Sequence, residues 1–212
     1  MAIAPVIYNA PSIFIAPIWK PTKDLKPMKK VALLSALAVI IGLTGAPAQA
    51  EDVIKRGDVL QTLTNLHPDN TKRLLYTVNY QQPGLIPVCS EITVTDISGK
   101  RMEFTYKGVE YKLDYERNTK GAGVSFQEAA QTMFGPACDQ AKIDSLSETD
   151  KEGIKYGEPQ IGMTRDGIYF AMGRPPIHAN PNLDSFEWMY WRNRFARRAI
   201  EFNDEGVVVG MR

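Results

Sequence analysis

Apolar and polar side chains alternate along most of the stretch from Leu74 to Tyr115. A period of two, interrupted by short glycine-containing turns at 98–100 and 107–108, is typical of an antiparallel sheet with one buried face. The pattern predicts four short strands, and therefore a small strand-rich domain over residues 51–117. The apolar positions of the four runs are Leu74, Tyr76, Val78 and Tyr80; Ile92 and Val94; Met102, Phe104 and Tyr106; and Val109, Tyr111, Leu113 and Tyr115.

Residues 118–145 follow a different pattern. The stretch 118–124 is polar and contains glycine, which predicts a flexible linker. Ser125 and Glu128 have the spacing of a capping box, which predicts a helix that begins there and continues through Phe134. Gly135 and Pro136 then end the helix. We therefore assign residues 118–145 to a linker that contains one short helix.

Helical signals come first in residues 146–212, and strand signals follow them. A helix is predicted from Ser147 to Ile154, and a second from Arg165 to Met172, with Thr164 as its N-cap and Gly173 as its C-terminal stop. The order of helix, helix and a three-stranded meander predicts an α+β domain. The three predicted strands are Phe186–Trp191, Phe195–Phe202 and Val207–Met211.

Residues 146–211 contain several short pieces in a characteristic order and spacing. They are a helix ending in Ile154, Gly162-Met163-Thr164, Gly173-Arg174-Pro175, Trp188-Met189-Tyr190, Ile200-Glu201-Phe202-Asn203 and Gly206-Val207-Val208. In their order and spacing these pieces resemble the SmpA/OmlA family, whose domain is also called BamE-like. The resemblance implies two helices packed on one face of a three-stranded antiparallel sheet. Known members are outer-membrane assembly accessory lipoproteins that contact partner proteins and anionic phospholipid.

The strand-rich part also resembles a known fold, the bacterial SH3-like barrel, through the stretch 86–88 ahead of a strand and the hairpin that follows. Together the two resemblances imply an α+β chain, with a small antiparallel β (SH3-like) domain followed by a BamE-like domain. The chain departs from the SmpA/OmlA pattern by this additional sheet domain and by a long loop, Pro176 to Ser185. It also lacks the cysteine to which the lipid of those lipoproteins is attached.

Residues 28–50 have the three parts of a cleavable signal peptide. A short basic start, Met28-Lys29-Lys30, is followed by an unbroken apolar run from Val31 to Ile41 and by the small-x-small site Ala48-Gln49-Ala50. The apolar run is about half of the ~20 residues that a membrane-spanning helix needs. We expect an exported, periplasmic protein that begins near Glu51, a residue that cannot carry the lipid. Residues 1–27 are rich in proline, and we expect them to reflect an upstream start or a disordered segment.

The composition of residues 51–212 argues against several classes of function. A slight excess of acidic side chains makes nucleic-acid binding unexpected. The only histidines are His67 and His178, and no CxxC or HExxH motif is present, so we expect no metal and no cofactor. No G-x-S-x-G motif or phosphate-binding loop is present, so we expect no enzyme. A hydrolase that uses Cys89 or His178 stays open, because dispersed active sites escape motif searches.

Two cysteines, Cys89 and Cys138, are present in the chain. In an oxidising compartment an even number of cysteines favours a disulfide. The bridge would close a loop of about 49 residues, which is worth on the order of 4 kcal/mol in the chain-entropy model. The alternative is two buried free thiols.

The least usual chemistry lies between Pro175 and Arg194. We expect Arg174, His178, Trp191, Arg192 and Arg194 to bind a partner protein or anionic lipid headgroups, because arginine beside aromatic residues is favoured at binding sites. For Trp191, an exposed anchor and packing under the proline-rich loop are both open. The arginines have a second interpretation too, as a solvated face that Glu187 and Glu201 balance.

In the predicted strand, Arg198 lies on the same face as Ile200 and Phe202, which should point inward. We expect either a strand bulge near Arg198 or a side chain whose stem passes the core and whose charge reaches solvent.

The sequence thus predicts a non-catalytic exported protein, a binding or assembly module of the periplasm or the inner face of the outer membrane. The fold resemblance also leaves an alternative. The related β-lactamase-inhibitor-like fold binds an enzyme, so the chain could be a soluble inhibitor of an envelope enzyme that presents the loop Pro176 to Ser185.

Overall fold

The computed structural model describes residues 53–212, which belong to one compact unit. The predicted signal peptide, residues 28–50, and the segment before it, residues 1–27, lie outside the described residues. The described part combines helices with two largely antiparallel sheets, which confirms the α+β prediction at that level.

The first sheet has six strands in the order β2-β5-β4-β3-β1-β6. Neighbouring strands are antiparallel except β2 and β5, which run parallel. Each of the four predicted runs contains a strand, so the alternation located β2 to β5 correctly. The strands are β1 (Val59–Thr62), β2 (Leu74–Tyr76), β3 (Glu91–Ile97), β4 (Arg101–Tyr106), β5 (Val109–Asp114) and β6 (Phe134–Gly135).

The sheet differs from the prediction at its edges. Strand β2 ends at Tyr76, because Asn79 adopts a positive φ of 44° and donates its backbone N–H to the Tyr76 carbonyl at 2.7 Å. This turn shortens a run that was predicted to reach Tyr80. Strands β1 and β6 were not predicted, because four and two residues are too short to show a period of two.

The inner face of this sheet forms the first hydrophobic core. Its buried positions follow the predicted alternation in β3, at Ile92 and Val94, and in β4, at Met102 and Phe104. The Phe104 ring packs edge-on against Phe134, at 5.2 Å between centroids. Burial of each such side chain is worth about 1.5–3 kcal/mol. The other buried members are Ile54, Leu66, Leu75, Ile86, Leu113, Phe126, Ala130 and Met133.

The segment predicted as a linker is more structured than expected. Helix α1 (Arg117–Gly121) spans its start, with Glu116 as its N-cap. Helix α2 (Phe126–Gln131) begins at the predicted capping box, where Ser125 accepts from the Glu128 backbone and Glu128 accepts from the Ser125 backbone. The helix ends before Phe134, because that residue pairs with β1 in the sheet. Helix α3 (Gln140–Ser145) completes the segment.

Two helices and a three-stranded meander follow in the predicted order. Helix α4 (Glu148–Tyr156) begins at the N-cap Ser147, and helix α5 (Arg165–Met172) begins at the N-cap Thr164 and ends at Gly173. The helix boundaries were predictable because the residue types that favour helix ends, such as Ser, Thr and Gly, are recognisable in the sequence. The strands pair in the order β7-β8-β9 and are β7 (Glu187–Trp191), β8 (Arg197–Phe202) and β9 (Val208–Met211).

A buried carboxylate joins the starts of α4 and α5. Asp150 is fully buried, and its Oδ1 accepts from the backbone N–H of Thr164 at 2.7 Å, while its Oδ2 accepts from the Ser147 hydroxyl at 2.8 Å. Both helices therefore direct their N-terminal partial positive charge at one carboxylate. Only glycine fits at Gly167, because a Cβ there would lie 1.9 Å from the Asp150 Oδ1.

The second core lies between these helices and the meander. Trp188, Tyr190, Ile200 and Phe202 are buried on the sheet face that the helices cover. The Trp188 and Phe202 rings pack edge to face, with centroids 4.9 Å apart. Their alternation along β7 and β8 matches the predicted inward face, except that Phe186, just before β7, is exposed. The helix members of this core are Ile143, Ile154, Ile168, Phe170, Ala171 and Met172.

The C-terminal end of α5 is held by the segment that follows β1. The Phe170 carbonyl accepts from the Asn65 backbone N–H at 2.8 Å, and the Ala171 carbonyl lies 3.0 Å from His67 Nε2. The last carbonyls of a helix have no partner within the helix, so buried ones need donors from elsewhere. Because a carbonyl can only accept, His67 carries a proton on Nε2.

Two more carbonyls at the same helix end are satisfied by side chains. Met172 accepts from the amides of Asn79, at 3.0 Å, and Gln81, at 2.9 Å. Gly173 accepts from the hydroxyl of the buried Tyr190 at 2.8 Å, and burial raises the pKa of that hydroxyl well above its usual value. The end of α5 is therefore bound both by the segment between β1 and β3 and by the second sheet.

The predicted disulfide is present. Cys89 and Cys138 are bonded, with their Cα atoms 5.2 Å apart and a sequence separation of 49. The bridge ties the chain before β3 to the chain before α3, which places it close to the second core that Cys89 contacts.

The disulfide should contribute much of the stability. We expect the double variant C89S/C138S to lose about 4 kcal/mol of unfolding free energy, because the unfolded chain regains the entropy of the open loop. Urea denaturation followed by circular dichroism measures the loss, and reduction of the wild-type protein should reproduce it. A loss below about 1 kcal/mol would contradict this expectation.

His67 should make stability depend on pH. Burial, at 5% exposure, lowers the pKa of His67, although the Ala171 carbonyl and the Glu158 charge oppose the change. The unfolded chain therefore binds this proton more tightly than the folded one. We expect full stability above pH ~6.5 and a decrease as the pH falls from there towards the lowered pKa.

Urea midpoints measured across this range in wild type, in H67Q and in H178Q give the test. The slope should flatten in H67Q and persist in H178Q, because His178 is exposed. An unchanged slope in H67Q would contradict the assignment.

A basic and aromatic cleft as candidate functional site

An open cleft of about 950 Å³ lies between the segment Asp69–Pro83 and the turn that joins β7 to β8. The first wall surrounds β2, and the second is the turn Arg192–Arg194. Two acidic residues complete the lining, Glu116 at the start of α1 and Glu158 just after α4. The cleft is therefore built from parts that are far apart in sequence.

The two walls are held together through Gln81. Its backbone N–H donates to the Trp191 carbonyl at 2.8 Å, while its side-chain amide reaches the end of α5. The opposite turn is fixed by the Asn193 side chain, which accepts from the backbone N–H groups of Phe195 and Ala196 at 2.9 and 3.0 Å. A fixed turn leaves Arg192 and Arg194 exposed at the cleft.

The three carboxylates of the cleft are all engaged within the protein. Asp69 accepts from the backbone N–H groups of residues 71 and 72, at 2.9 and 2.7 Å. Glu116 caps α1 by accepting from the backbone of Asn118. Glu158 accepts from Arg198 Nη1 at 2.8 Å. Each carboxylate thus has a structural role already.

The three cations of the cleft, unlike its carboxylates, do not have their charged groups engaged in a hydrogen bond or ion pair within the described residues. Lys72, Arg192 and Arg194 make no ion pair with any carboxylate of residues 53–212. The Arg194 guanidinium lies over the Phe195 ring, 4.5 Å from its centroid. Glu158 already has an ion-pair partner, and the other charged lining residues are three cations and two carboxylates, so the cleft has a small excess of positive charge and an anion is the expected match.

Two tyrosines give the cleft an aromatic wall. The rings of Tyr76 and Tyr80 lie edge to face, with centroids 5.3 Å apart. Burial, followed by the negative charge of Glu116, raises the pKa of Tyr80 to about 12, against the opposing charge of Arg194. The Tyr80 hydroxyl stays protonated at neutral pH, so this wall can bind and pack but does not supply a base.

The structure separates the five predicted site residues into three places. Arg192 and Arg194 line the cleft. His178 and Trp191 form a tilted ring pair with centroids 5.0 Å apart, so the proline-rich loop partly covers the tryptophan. Arg174 lines a different cavity, which is described below.

The exposure of Phe195, which lies beside the cleft against Arg194, was not predicted. Its side chain is 82% exposed at the tip of the β7–β8 turn, whereas the sequence pattern had placed it inside a strand. The strand begins only at Arg197. The sequence does carry a signal, because a single aromatic among arginines over residues 192–198 is unusual for a strand with a buried face.

Arg198 takes the second of the two predicted arrangements. The β7–β8 register has no irregularity at Arg198, which pairs with Tyr190. Its side chain is 20% exposed, so the stem passes along the core and the guanidinium reaches Glu158 at the surface. The interpretation as a solvated face holds for Arg212 instead, which bridges Glu187 and Glu201.

No helix within residues 53–212 is long and apolar enough to cross a membrane. Over the same range, no group of three or more His, Cys, Asp or Glu side chains is arranged to hold a metal ion. Comparisons with protein families, with curated proteins and with solved structures found no match to this chain.

Proposed function

We propose that the chain is a non-catalytic binding module of the bacterial envelope, which captures an acidic segment of a partner protein in the cleft. The observation that carries this proposal is the imbalance of free charge. Three cations without ionic partners face a ligand, whereas the three carboxylates beside them are held by internal contacts. Desolvated aromatic surface next to arginine is favoured at protein interfaces.

Periplasmic location is part of the proposal. The signal-peptide pattern of residues 28–50 supports export, and the Cys89–Cys138 bridge is in keeping with an oxidising compartment. The absence of a cysteine at position 51 favours a protein that is not lipidated.

The resemblance to the SmpA/OmlA family gives the proposal its biological setting, which is assembly at the outer membrane. Support comes from the order of elements, since α4, α5 and the meander follow one another and the helices cover one sheet face. We likewise propose that the first sheet is SH3-like. The parallel pairing of β2 with β5 departs from the antiparallel arrangement that was predicted.

Charge reversal at the cleft tests the proposed function. A photo-crosslinking residue at Gln82, which lines the cleft, should capture an envelope protein in cells, and R192E/R194E should reduce the yield about tenfold or more, because like charges then oppose the acidic partner. The matched control is R56E/R197E, which reverses two exposed arginines outside the cleft and should leave the yield unchanged.

Crosslinking from Asp204, in the exposed turn between β8 and β9, controls for random encounter. The proposal would be contradicted if the probe at Asp204 captured as much protein as the probe in the cleft. It would also be contradicted if R192E/R194E and R56E/R197E gave the same yield. If no protein is captured, and R192E/R194E loses the binding to anionic phospholipid vesicles that the wild type shows, then lipid headgroups are the ligand instead.

A second candidate, a soluble inhibitor of an envelope enzyme, is favoured by the rigidity of the loop from Pro176 to Ser185. The Arg165 guanidinium donates to the carbonyls of Leu183, at 2.9 Å, and Ser185, at 2.8 Å. The Asn180 amide binds both backbone groups of Met189, at 2.9 and 2.7 Å. An exposed loop that is fixed before binding loses little entropy on binding.

The two candidates predict opposite results for loop variants. If the chain is an inhibitor, it forms a stoichiometric complex with an envelope hydrolase, and H178E/D184R abolishes that complex while leaving the backbone contacts of the loop intact. R192E/R194E should keep the complex. Size-exclusion chromatography of the mixed proteins measures both, and a complex that survives H178E/D184R would rule out this loop as the inhibitory element.

A further inference from the structure

A second, smaller cavity lies between the segment Thr77–Asn79, helix α2 and the chain that follows α5. Its volume is about 270 Å³, and it shares no lining residue with the cleft. The elements around it are fixed by contacts already described, because a capping box starts α2 and Asn79 and Tyr190 bind the end of α5. A cavity with fixed walls is a preformed site.

Most of the cavity wall is apolar. Val78, Ala129 and Met133 contribute from the first part of the structure, and Pro175 and Pro176 close the opposite side. All five are buried. Transfer of an apolar ligand surface from water to such a wall is favourable. An ion or a sugar would leave these side chains unmatched, so the body of a suitable ligand is apolar.

One end of the cavity carries a chain of hydrogen bonds. The backbone N–H of Glu116 donates to Thr77 Oγ1 at 3.0 Å, and the Thr77 hydroxyl donates to Thr119 Oγ1 at 2.9 Å. Thr119 is only 5% exposed and lines the cavity. Among residues 53–212 the two hydroxyls have no acceptor other than each other, so one hydroxyl hydrogen of the Thr77–Thr119 pair is free for a ligand oxygen.

The one cation that lines the cavity, Arg174, has no ionic partner among residues 53–212. The other charged lining residue, Glu128, stays ionised, because its hydrogen bonds with Ser125 lower the pKa of the carboxyl, but the capping box holds this carboxylate at the start of α2. A cation that is free beside an apolar chamber matches a carboxylate on an apolar molecule.

We propose that this cavity binds a small apolar molecule with a single carboxylate. Arg174 supplies the cation for the carboxylate, the Thr77–Thr119 pair supplies a hydroxyl donor for an oxygen, and the apolar body lies among the buried lining side chains. This site is independent of the proposed capture of a partner protein, because the two sites have no residue in common. It also gives Arg174 a role apart from Arg192 and Arg194.

Isothermal titration with octanoate, and with octanol as the uncharged analogue, tests the proposal. Wild-type protein should bind one octanoate saturably, and R174Q should bind it at least about tenfold more weakly, while octanol binding stays unchanged. The matched control is R197Q, which removes an exposed arginine elsewhere and should bind octanoate like wild type.

Filling the cavity gives a second, charge-independent test. A129L should abolish binding of both probes, and T132L, at a half-buried lining position, serves the same purpose should A129L fail to fold by circular dichroism. The proposal is overturned if wild type shows no saturable octanoate binding up to about 10 mM, or if R174Q or a folded filling variant binds octanoate as wild type does.

Discussion

The carbonyl groups at the C-terminal end of α5 require partners, and the way they find them organises the molecule. Asn65 and His67 from the chain after β1, Asn79 from the turn after β2, and Tyr190 from the second sheet each donate to one of these carbonyls. An unpaired buried carbonyl costs about 1–3 kcal/mol, so the four contacts act together to hold the two cores in one arrangement. Both candidate binding sites are bounded by residues that this helix end fixes.

Much of the fold was predictable, because its signals are local. The alternation from Leu74 to Tyr115 and the caps Ser125, Ser147 and Thr164 act over a few residues, and they located four strands and three helix starts. The parallel pairing of β2 with β5 and the two-residue strand β6 depend on contacts between distant segments. No short-range pattern encodes such contacts, and asparagines such as Asn79 look like ordinary turn residues in sequence.

The candidate site was predictable only in part, for a related reason. The arginines near the β7–β8 turn are visible in the sequence, but their roles depend on which carboxylates reach them. Arg198 is neutralised by Glu158, a residue 40 positions away, whereas Arg192 and Arg194 remain free. Arg174 lies close to them in sequence and yet lines a different cavity. Charge clusters therefore indicate where a site lies more reliably than which residues form it.

The contact between Asn180 and β7 has a consequence for how this protein meets other chains. β7 is an edge strand, and an uncovered edge offers its backbone to any passing strand. The Asn180 side chain occupies both backbone groups of Met189, and Gln81 occupies the carbonyl of Trp191. Extension of the sheet across this edge by a foreign strand is blocked at its centre. The protein is thereby protected against templated association through β7, and recognition on this side has to proceed through side chains.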